Sequence, residues 1–268
     1  MVIHPKLPHF LQMEFPLPWA MTRPERVALI QLVDLIRPPV AIEIGTQRGG
    51  SLQVIASRAG RVYSIDIDPA VAASLTGRFP NVEFRTGDSA VVLPAVLEEI
   101  EARGEELGFV LIDGDHTGPG VRQDINAVLR HVPRRPVHVL MHDSFNPPCR
   151  QGMLEAAWQG CPYVHHVELD FVGGVFLDHA PVAAPDMWGG FGLAVLLPER
   201  RTGGVVIHQA LKDTFEALYT FSGHRPADES RFAYLRHLLR LAWRHPRKLF
   251  TRAVGKLGRW RRGDNGAA

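Results

Sequence analysis

The chain has 268 residues, of which 46% are hydrophobic and 22% are charged, and its formal net charge is +2. This composition is typical of a globular protein with one main core, and the small net charge gives no general reason to expect a nucleic-acid partner. No apolar run approaches the roughly 18 residues that cross a bilayer, and two cysteines without a signal-peptide pattern predict a cytoplasmic protein.

Residues 1–37 are predicted to form an arm followed by a helix. The first twenty residues contain four prolines and no apolar period, so we expect an irregular arm that serves as a lid or as a dimer contact. Thr22 and Glu25 have the spacing of a capping box, and apolar residues at helical spacing follow until Pro38. The arm therefore leads through a helix into the main domain.

Residues 38–200 show the alternation of a doubly wound α/β domain. Short apolar runs alternate with amphipathic, helix-like stretches, which is typical of parallel strands joined by helices. The five runs are VAIEI (40–44), VYSID (62–66), VEFR (82–85), FVLID (109–113) and VHVLM (137–141). Two further strands, at 163–171 and 192–197, flank a Gly/Pro-rich loop. We therefore predict a mostly parallel, seven-stranded, Rossmann-like sheet.

The C-terminal region, residues 201–268, ends in a basic segment. Residues 225–262 contain twelve lysines and arginines against two acidic residues, with apolar residues at helical spacing. The predicted amphipathic helix either packs on the domain or contacts the inner face of an anionic membrane, and homo-oligomerisation stays open as well. Regularly interleaved aromatic residues are absent, so nucleic acid is not expected as a partner.

The turn after the first strand, EIGTQRGGSL, is the expected ligand site of such a sheet. Gly45 and Gly49 allow a tight turn and a close backbone approach, and Ser51 opens the next helix. The G-x-x-x-G spacing differs from the dinucleotide fingerprint, and Glu43 favours a ligand with a positive charge. Asp66, at the end of the second strand, is placed to accept the hydroxyls of a ribose.

Together with GDS at 87–89, these motifs resemble a class I S-adenosylmethionine-dependent methyltransferase over residues 38–145. In the implied arrangement Glu43 and the glycines line the methionine end of the cofactor, while Asp66 holds the ribose. Either Asp88 or Ser89 then contacts the adenine. The residues that we assign to the cofactor are Glu43, Gly45, Gly49, Ser51, Asp66, Asp88, Ser89 and Asp113.

Two acidic clusters follow the fourth and fifth strands. VLIDGDH carries Asp113, Asp115 and His116, and VLMHD carries His142 and Asp143. Because these strands are neighbours in the doubly wound order, their carboxyl ends converge on one rim of the sheet. Oxygen and imidazole groups in such a place are typical of a site for a divalent cation, Mg²⁺ or Mn²⁺.

The paired clusters are similar to those of metal-dependent O-methyltransferases of the cephalosporin-hydroxylase-like and macrolide-sugar type. The resemblance implies Asp113, His142 and Asp143 as metal ligands, although relatives more often have an acid at the position of His142. It implies His116 as the general base, and Asp115 is the second candidate for removing the proton. The expected acceptor is a small molecule or glycan, with a sugar hydroxyl favoured.

Two alternatives to this enzyme stay open. Asp113, His116 and His142 make up the two-histidine, one-carboxylate set of iron oxygenases, but the glycine turn would then have no purpose. The second alternative is a non-catalytic nucleoside-binding scaffold that works at a membrane through its basic segment.

Overall fold

The computed structural model describes residues 15–177 and 186–224. The predicted basic helix over 225–262 and the first fourteen residues of the arm lie outside the described residues. The helices are α1 (Arg23–Ile36), α2 (Leu52–Ala56), α3 (Pro69–Leu75), α4 (Ser89–Ala102), α5 (Gly118–Val128), α6 (Pro147–Glu155) and α7 (Lys212–Phe221), with a 3-10 turn at Trp158–Gly160. The strands are β1 (Val40–Ile44), β2 (Arg61–Asp66), β3 (Val82–Thr86), β4 (Leu107–Ile112), β5 (Val137–His142), β6 (Val164–Val172), β7 (Val175–Leu177), β8 (Asp186–Trp188), β9 (Phe191–Leu196) and β10 (Ile207–His208).

The described strands form a main sheet in the order β10-β6-β9-β5-β4-β1-β2-β3. The pairs from β1 to β5 are parallel, and β9 runs antiparallel between β5 and β6. The prediction of a mostly parallel, doubly wound sheet is therefore confirmed. The strand order reverses between β1 and β4, which opens a crevice at the carboxyl ends of these strands.

Three short strands were not predicted from the sequence. The strand β10 pairs with β6 through two residues, and β7 and β8 form a separate antiparallel hairpin. Elements of two or three residues are too short to show a period in the sequence, since the alternation test needs about four to eight residues.

Both faces of the sheet are covered, and β1 shows how the sequence divides between them. Val40, Ile42 and Ile44 belong to the core beneath α4 and α5, whereas Ala41 belongs to the core beneath α1 and α2. Because side chains alternate along a strand, Glu43 points to the same side as Ala41. Its carboxylate is therefore buried beneath helices.

The described part of the arm packs on its own domain. The backbone N–H of Leu17 donates to Gln53 Oε1 at 2.9 Å, and Gln53 Nε2 donates to the carbonyl of Leu17 at 3.2 Å. A Cβ added at Gly50 would lie 2.5 Å from the carbonyl oxygen of Pro18, so only glycine allows this approach. None of the helices among the described residues combines the length and apolarity needed to cross a bilayer.

Candidate active site

A cavity of about 870 Å³ lies at the carboxyl ends of β1, β2, β4 and β5. Its volume falls within the roughly 300–1,000 Å³ that is usual for small-molecule sites. One end, the glycine-turn half, is lined by Gly45, Gln47, Asp66, Ile67, Asp88 and Ser89. The other end, the acidic half, is lined by Glu25, Asp113, Asp115, His116, His142, Asp143 and Trp188. The structure thus brings the two predicted groups of residues into one site.

In the glycine-turn half, Asp66 holds the turn after β1 in place. The backbone N–H groups of Thr46 and Gln47 donate to Asp66 Oδ2 at 3.0 and 2.9 Å, and Asp68 N–H donates to Oδ1 at 2.9 Å. Each carboxylate oxygen has two lone pairs, so Oδ1 retains one acceptor position. Asp66 lines the cavity and can accept a ligand hydroxyl there, as expected from the sequence.

Gly45 brings the turn against the end of β4. Its φ is +83°, and an added Cβ would lie 2.0 Å from the carbonyl oxygen of Asp113. The positive φ and this close approach both require glycine. The turn and the first residue of the acidic half are therefore in direct backbone contact.

Three of the predicted cofactor residues do not line the cavity and instead contact other residues in and around the turn. Glu43 is fully buried and accepts hydrogen bonds from Thr46 Oγ1 at 2.8 Å and Ser51 Oγ at 2.5 Å. Burial raises the pKa of Glu43 to about 7, against the opposing effect of these two hydroxyls. Gly49 packs against Leu75. Glu43, Gly49 and Ser51 thus have structural contacts outside the cavity wall, and their predicted contacts with a ligand stay predictions.

The turn after β3 supplies Asp88 and Ser89 to the cavity wall, as predicted. Asp88 Oδ1 accepts the N–H of Ala90 at 2.9 Å and so caps α4. Behind this turn lies Asp124, a buried carboxyl on α5 whose pKa burial raises to about 6. Asp124 is a supporting group that the sequence analysis did not identify.

In the acidic half, the residues that group as a cation site are Asp113, His116 and Asp143. Their ligand atoms all lie within 4.8 Å of one another. His116 Nε2 is 3.6 Å from Asp113 Oδ1 and 3.6 Å from Asp143 Oδ2. Asp143 has a φ of +59°, and its Oδ1 accepts the N–H of Gly189 at 2.7 Å. The structure therefore supplies two carboxylates and one imidazole.

His142 takes a different position from the predicted one. Its Nδ1 lies 2.8 Å from Asp113 Oδ1, and its Nε2 lies 3.5 Å from Glu25 Oε1. Burial alone would lower the pKa of His142, but Asp113 and Glu25 outweigh it and hold the pKa well above its usual value. The group of mutually close ligand atoms contains His116 and not His142, and the role of His142 as a ligand stays a prediction.

Asp115 and His116 both line the cavity, but their side chains differ in the contacts that they make within the protein. The two oxygens of Asp115 accept the backbone N–H and the hydroxyl of Thr117, each at 2.9 Å, at the start of α5. The ring of His116 is partly exposed and packs edge-on against Trp188 at 5.5 Å. The nearby carboxylate of Asp113, 3.6 Å from His116 Nε2, raises the pKa of His116. Both predicted bases thus border the cavity, and His116 is the one whose ring packs against the wall residue Trp188.

Glu25 is a site residue that sequence reasoning missed. It was identified only as part of a capping box, yet it is 1% exposed and lies in the wall of the acidic half. No local pattern indicates this position, because its partners His142 and Gly190 are far away along the chain.

Residues 42–144 match the model of a family described as "Methyltransferase domain", a range that runs from β1 to just past β5. The match includes both acidic clusters and confirms the prediction of a methyltransferase domain. Together with the observed strand order, the match supports a methyltransferase domain with the predicted Rossmann-like fold over these residues. No curated protein matches the chain.

Among solved structures, the chain is similar to an O-methyltransferase from Bacillus cereus in complex with SAH, at 22% identity and a TM-score of 0.48, over 73% of this chain and 92% of that one. It is also similar to the O-methyltransferase TomG from Streptomyces achromogenes in complex with SAM, at 19% identity and a TM-score of 0.49, over 71% of this chain and 86% of that one. The fold assignment itself rests on the sheet order and the family match.

Proposed function

We propose that the protein transfers a methyl group from S-adenosylmethionine to a hydroxyl oxygen with the help of a divalent cation. The observation that carries this proposal is the single cavity that joins the glycine-turn half to the acidic half. The first half offers Asp66 and Ser89 to a nucleoside, and the second gathers carboxylates and an imidazole at a distance suited to one ion.

The acidic half fits a cation on the chemistry of its donors. Asp113 and Asp143 are carboxylates with little exposure, and their ligand atoms are close enough to share one ion. Carboxylate oxygens suit Mn²⁺ and Mg²⁺, and His116 beside them stays available as a base. When bound, such an ion would lower the pKa of an acceptor hydroxyl and orient it.

In the proposed reaction, Asp113 and Asp143 would hold the cation, and Asp66 would hold the ribose of the cofactor. The proton of the hydroxyl passes to Nε2 of His116 as the oxygen forms a bond to the methyl carbon. The bond between that carbon and sulfur breaks, and its electron pair stays on sulfur. Fixing both partners in one cavity supplies the proximity and alignment that such a displacement needs.

For the acceptor we propose a sugar hydroxyl of a glycosylated metabolite or a glycan. The acidic half is bounded by apolar and aromatic side chains, among them Trp19, Leu177 and Trp188. Trp188 is held by a hydrogen bond from its Nε1 to Asp186 Oδ2 at 2.6 Å. Fixed aromatic faces of this kind support binding of the apolar face of a sugar ring.

The test is calorimetry with S-adenosylhomocysteine and with Mn²⁺, each alone. We expect micromolar binding of S-adenosylhomocysteine that is lost in Asp66→Ala and kept in Asp68→Asn, because Asp68 caps α3 outside the cavity wall. Binding of Mn²⁺ should be lost in Asp113→Asn and should survive His142→Gln. If the wild type binds no S-adenosylhomocysteine, the methyltransferase proposal fails.

Turnover is then measured with methyl glycosides and with catechol as acceptors. Loss of turnover in His116→Ala with Mn²⁺ affinity retained would identify a base, whereas loss of both would identify a ligand. Turnover of catechol alone would refute the sugar proposal. Cofactor binding without turnover of any acceptor would favour the scaffold alternative.

We further propose that the basic segment 225–262, which lies outside the described residues, contacts anionic membranes. Co-sedimentation with phosphatidylserine vesicles should be strong for the full chain and lost on truncation after residue 224. Equal sedimentation of the two would contradict this proposal.

A further inference from the structure

The carboxylate of Glu25 joins three segments that are distant along the chain. Its Oε2 accepts the backbone N–H of Thr22, which belongs to the arm. Its Oε1 accepts the backbone N–H of Gly190, 165 residues away, and lies 3.5 Å from His142 Nε2. All three partners belong to, or directly adjoin, the acidic half of the cavity.

Helix capping alone does not explain this arrangement. A capping box needs one oxygen of the glutamate, which here is the oxygen bound to Thr22. The second oxygen is directed away from the helix to the turn after β8. A Cβ added at Gly189 would lie 2.5 Å from Glu25 Oε1, so this turn approaches the carboxylate as closely as glycine allows.

The contacts continue from Glu25 to the proposed cation site. His142 stands between two carboxylates, with Nε2 towards Glu25 and Nδ1 at 2.8 Å from Asp113 Oδ1. The segments that Glu25 ties together carry Trp19 and Met21 on one side and Trp188 on the other. These side chains form what we call the acceptor walls, residues 19–22 and 186–190.

We propose that Glu25 is a positioning residue that fixes the acceptor walls against the pair formed by His142 and Asp113. The inference rests on the proposed function, because the walls matter only if an acceptor binds between them. The hydrogen bonds of Glu25 go to residues in or beside the acidic half. Substitution of Glu25 should therefore weaken binding of the acceptor and leave binding of the nucleoside unchanged. Glu25 acts through backbone amides and His142, and it takes no part in the bonds that form and break.

The decisive experiment is hydrogen–deuterium exchange of the full chain, read at the amides of residues 22 and 190. In Glu25→Gln an amide N–H₂ replaces one carboxylate oxygen and faces a backbone donor, so at least one of the two bonds is lost. We expect exchange at Gly190 to rise at least tenfold and exchange in the acceptor walls to rise with it. The peptide that contains Asp66 should exchange as in the wild type.

The matched control is Gln31→Gly, on the exposed face of the same helix. Glycine weakens α1 but leaves Glu25 in place, so exchange should rise within α1 and stay unchanged at Gly190. A rise at Gly190 in the control equal to that in Glu25→Gln would overturn the proposal, since any weakening of α1 would then suffice. An unchanged Gly190 amide in Glu25→Gln would overturn it as well.

The kinetic signature separates positioning from general stability. With any methyl glycoside or catechol that the wild type methylates, Glu25→Gln should raise the KM for that acceptor at least tenfold, with affinity for S-adenosylhomocysteine within twofold of the wild type. Equal losses for both ligands would refute the inference. A wild type that fails to bind S-adenosylhomocysteine would refute the proposed function, while the exchange data would still decide whether Glu25 holds the walls.

If Glu25→Gln does not fold, Gly189→Ala provides the second variant. Its new Cβ would push the turn away from Glu25 Oε1 from the opposite side. The Gly190 amide should then open with Glu25 still present. Retained protection in this variant would contradict the proposal.

Discussion

Replacement of Gly45 by alanine should separate the effect of backbone conformation from that of close approach. Gly45 has a φ of +83°, and its added Cβ would lie 2.0 Å from Asp113 O and 2.5 Å from the carbonyl carbon of Asp113. Gly77 has nearly the same φ, +80°, with no described atom within 4 Å of an added Cβ. Gly77→Ala is therefore a matched control.

The expected magnitudes follow from these two geometries. An alanine in the left-handed region costs about 1–2 kcal/mol, and both variants carry this cost. Gly45→Ala must in addition move the end of β4 by about 1 Å, because real Cβ contacts are essentially never shorter than 3.0 Å. Forcing atoms into a packed site costs about 1–3 kcal/mol more. We therefore expect losses of about 1–2 kcal/mol for Gly77→Ala and about 2–5 kcal/mol for Gly45→Ala.

The assay is urea unfolding followed by circular dichroism, together with calorimetric binding of S-adenosylhomocysteine. Gly77→Ala should bind like the wild type, because Gly77 lies outside the cavity wall. Gly45→Ala should lose at least tenfold in affinity, because the displaced Asp113 carbonyl borders the cavity. Equal losses of stability in the two variants would refute the argument that backbone contact between the turn and β4 requires glycine.

Two further predictions concern buried charges. Because the pKa of Glu43 is raised to about 7, the folded protein keeps a proton that the unfolded chain releases above about pH 4.5, so stability should fall by up to about 3 kcal/mol between these values. Urea unfolding at pH 5 and pH 8 measures this loss of stability, and in Glu43→Gln the part that comes from Glu43 should disappear. A pH dependence equal to that of the wild type would contradict the raised pKa. Arg150→Met should cost about 3–5 kcal/mol in thermal unfolding, because Arg150 pairs with Asp170 at 2.7 Å and the two side chains are 3% and 0% exposed. Arg150→Met with Asp170→Leu should recover most of this loss, and failure to do so would point to the packing of Arg150 instead.

The sequence by itself determined the order of elements and the ends of the strands that carry the site. Apolar runs are local signals, so β1 to β5 were predicted close to their observed bounds. The positions of Asp66 and Asp113 followed from one rule, since ligands of an open sheet lie at the carboxyl ends of its strands.

Only the tertiary structure decided which side chains face the cavity. Strand alternation puts Glu43 on the face of β1 that α1 and α2 cover, and the sequence does not state which helices cover which face. The same rule directs His142 towards α1, where its Nδ1 lies 2.8 Å from Asp113 Oδ1 and its Nε2 lies 3.5 Å from Glu25 Oε1. His116 lies beside the two aspartates. These contacts join segments far apart along the chain, and their geometry depends on how the layers pack, which no local period encodes.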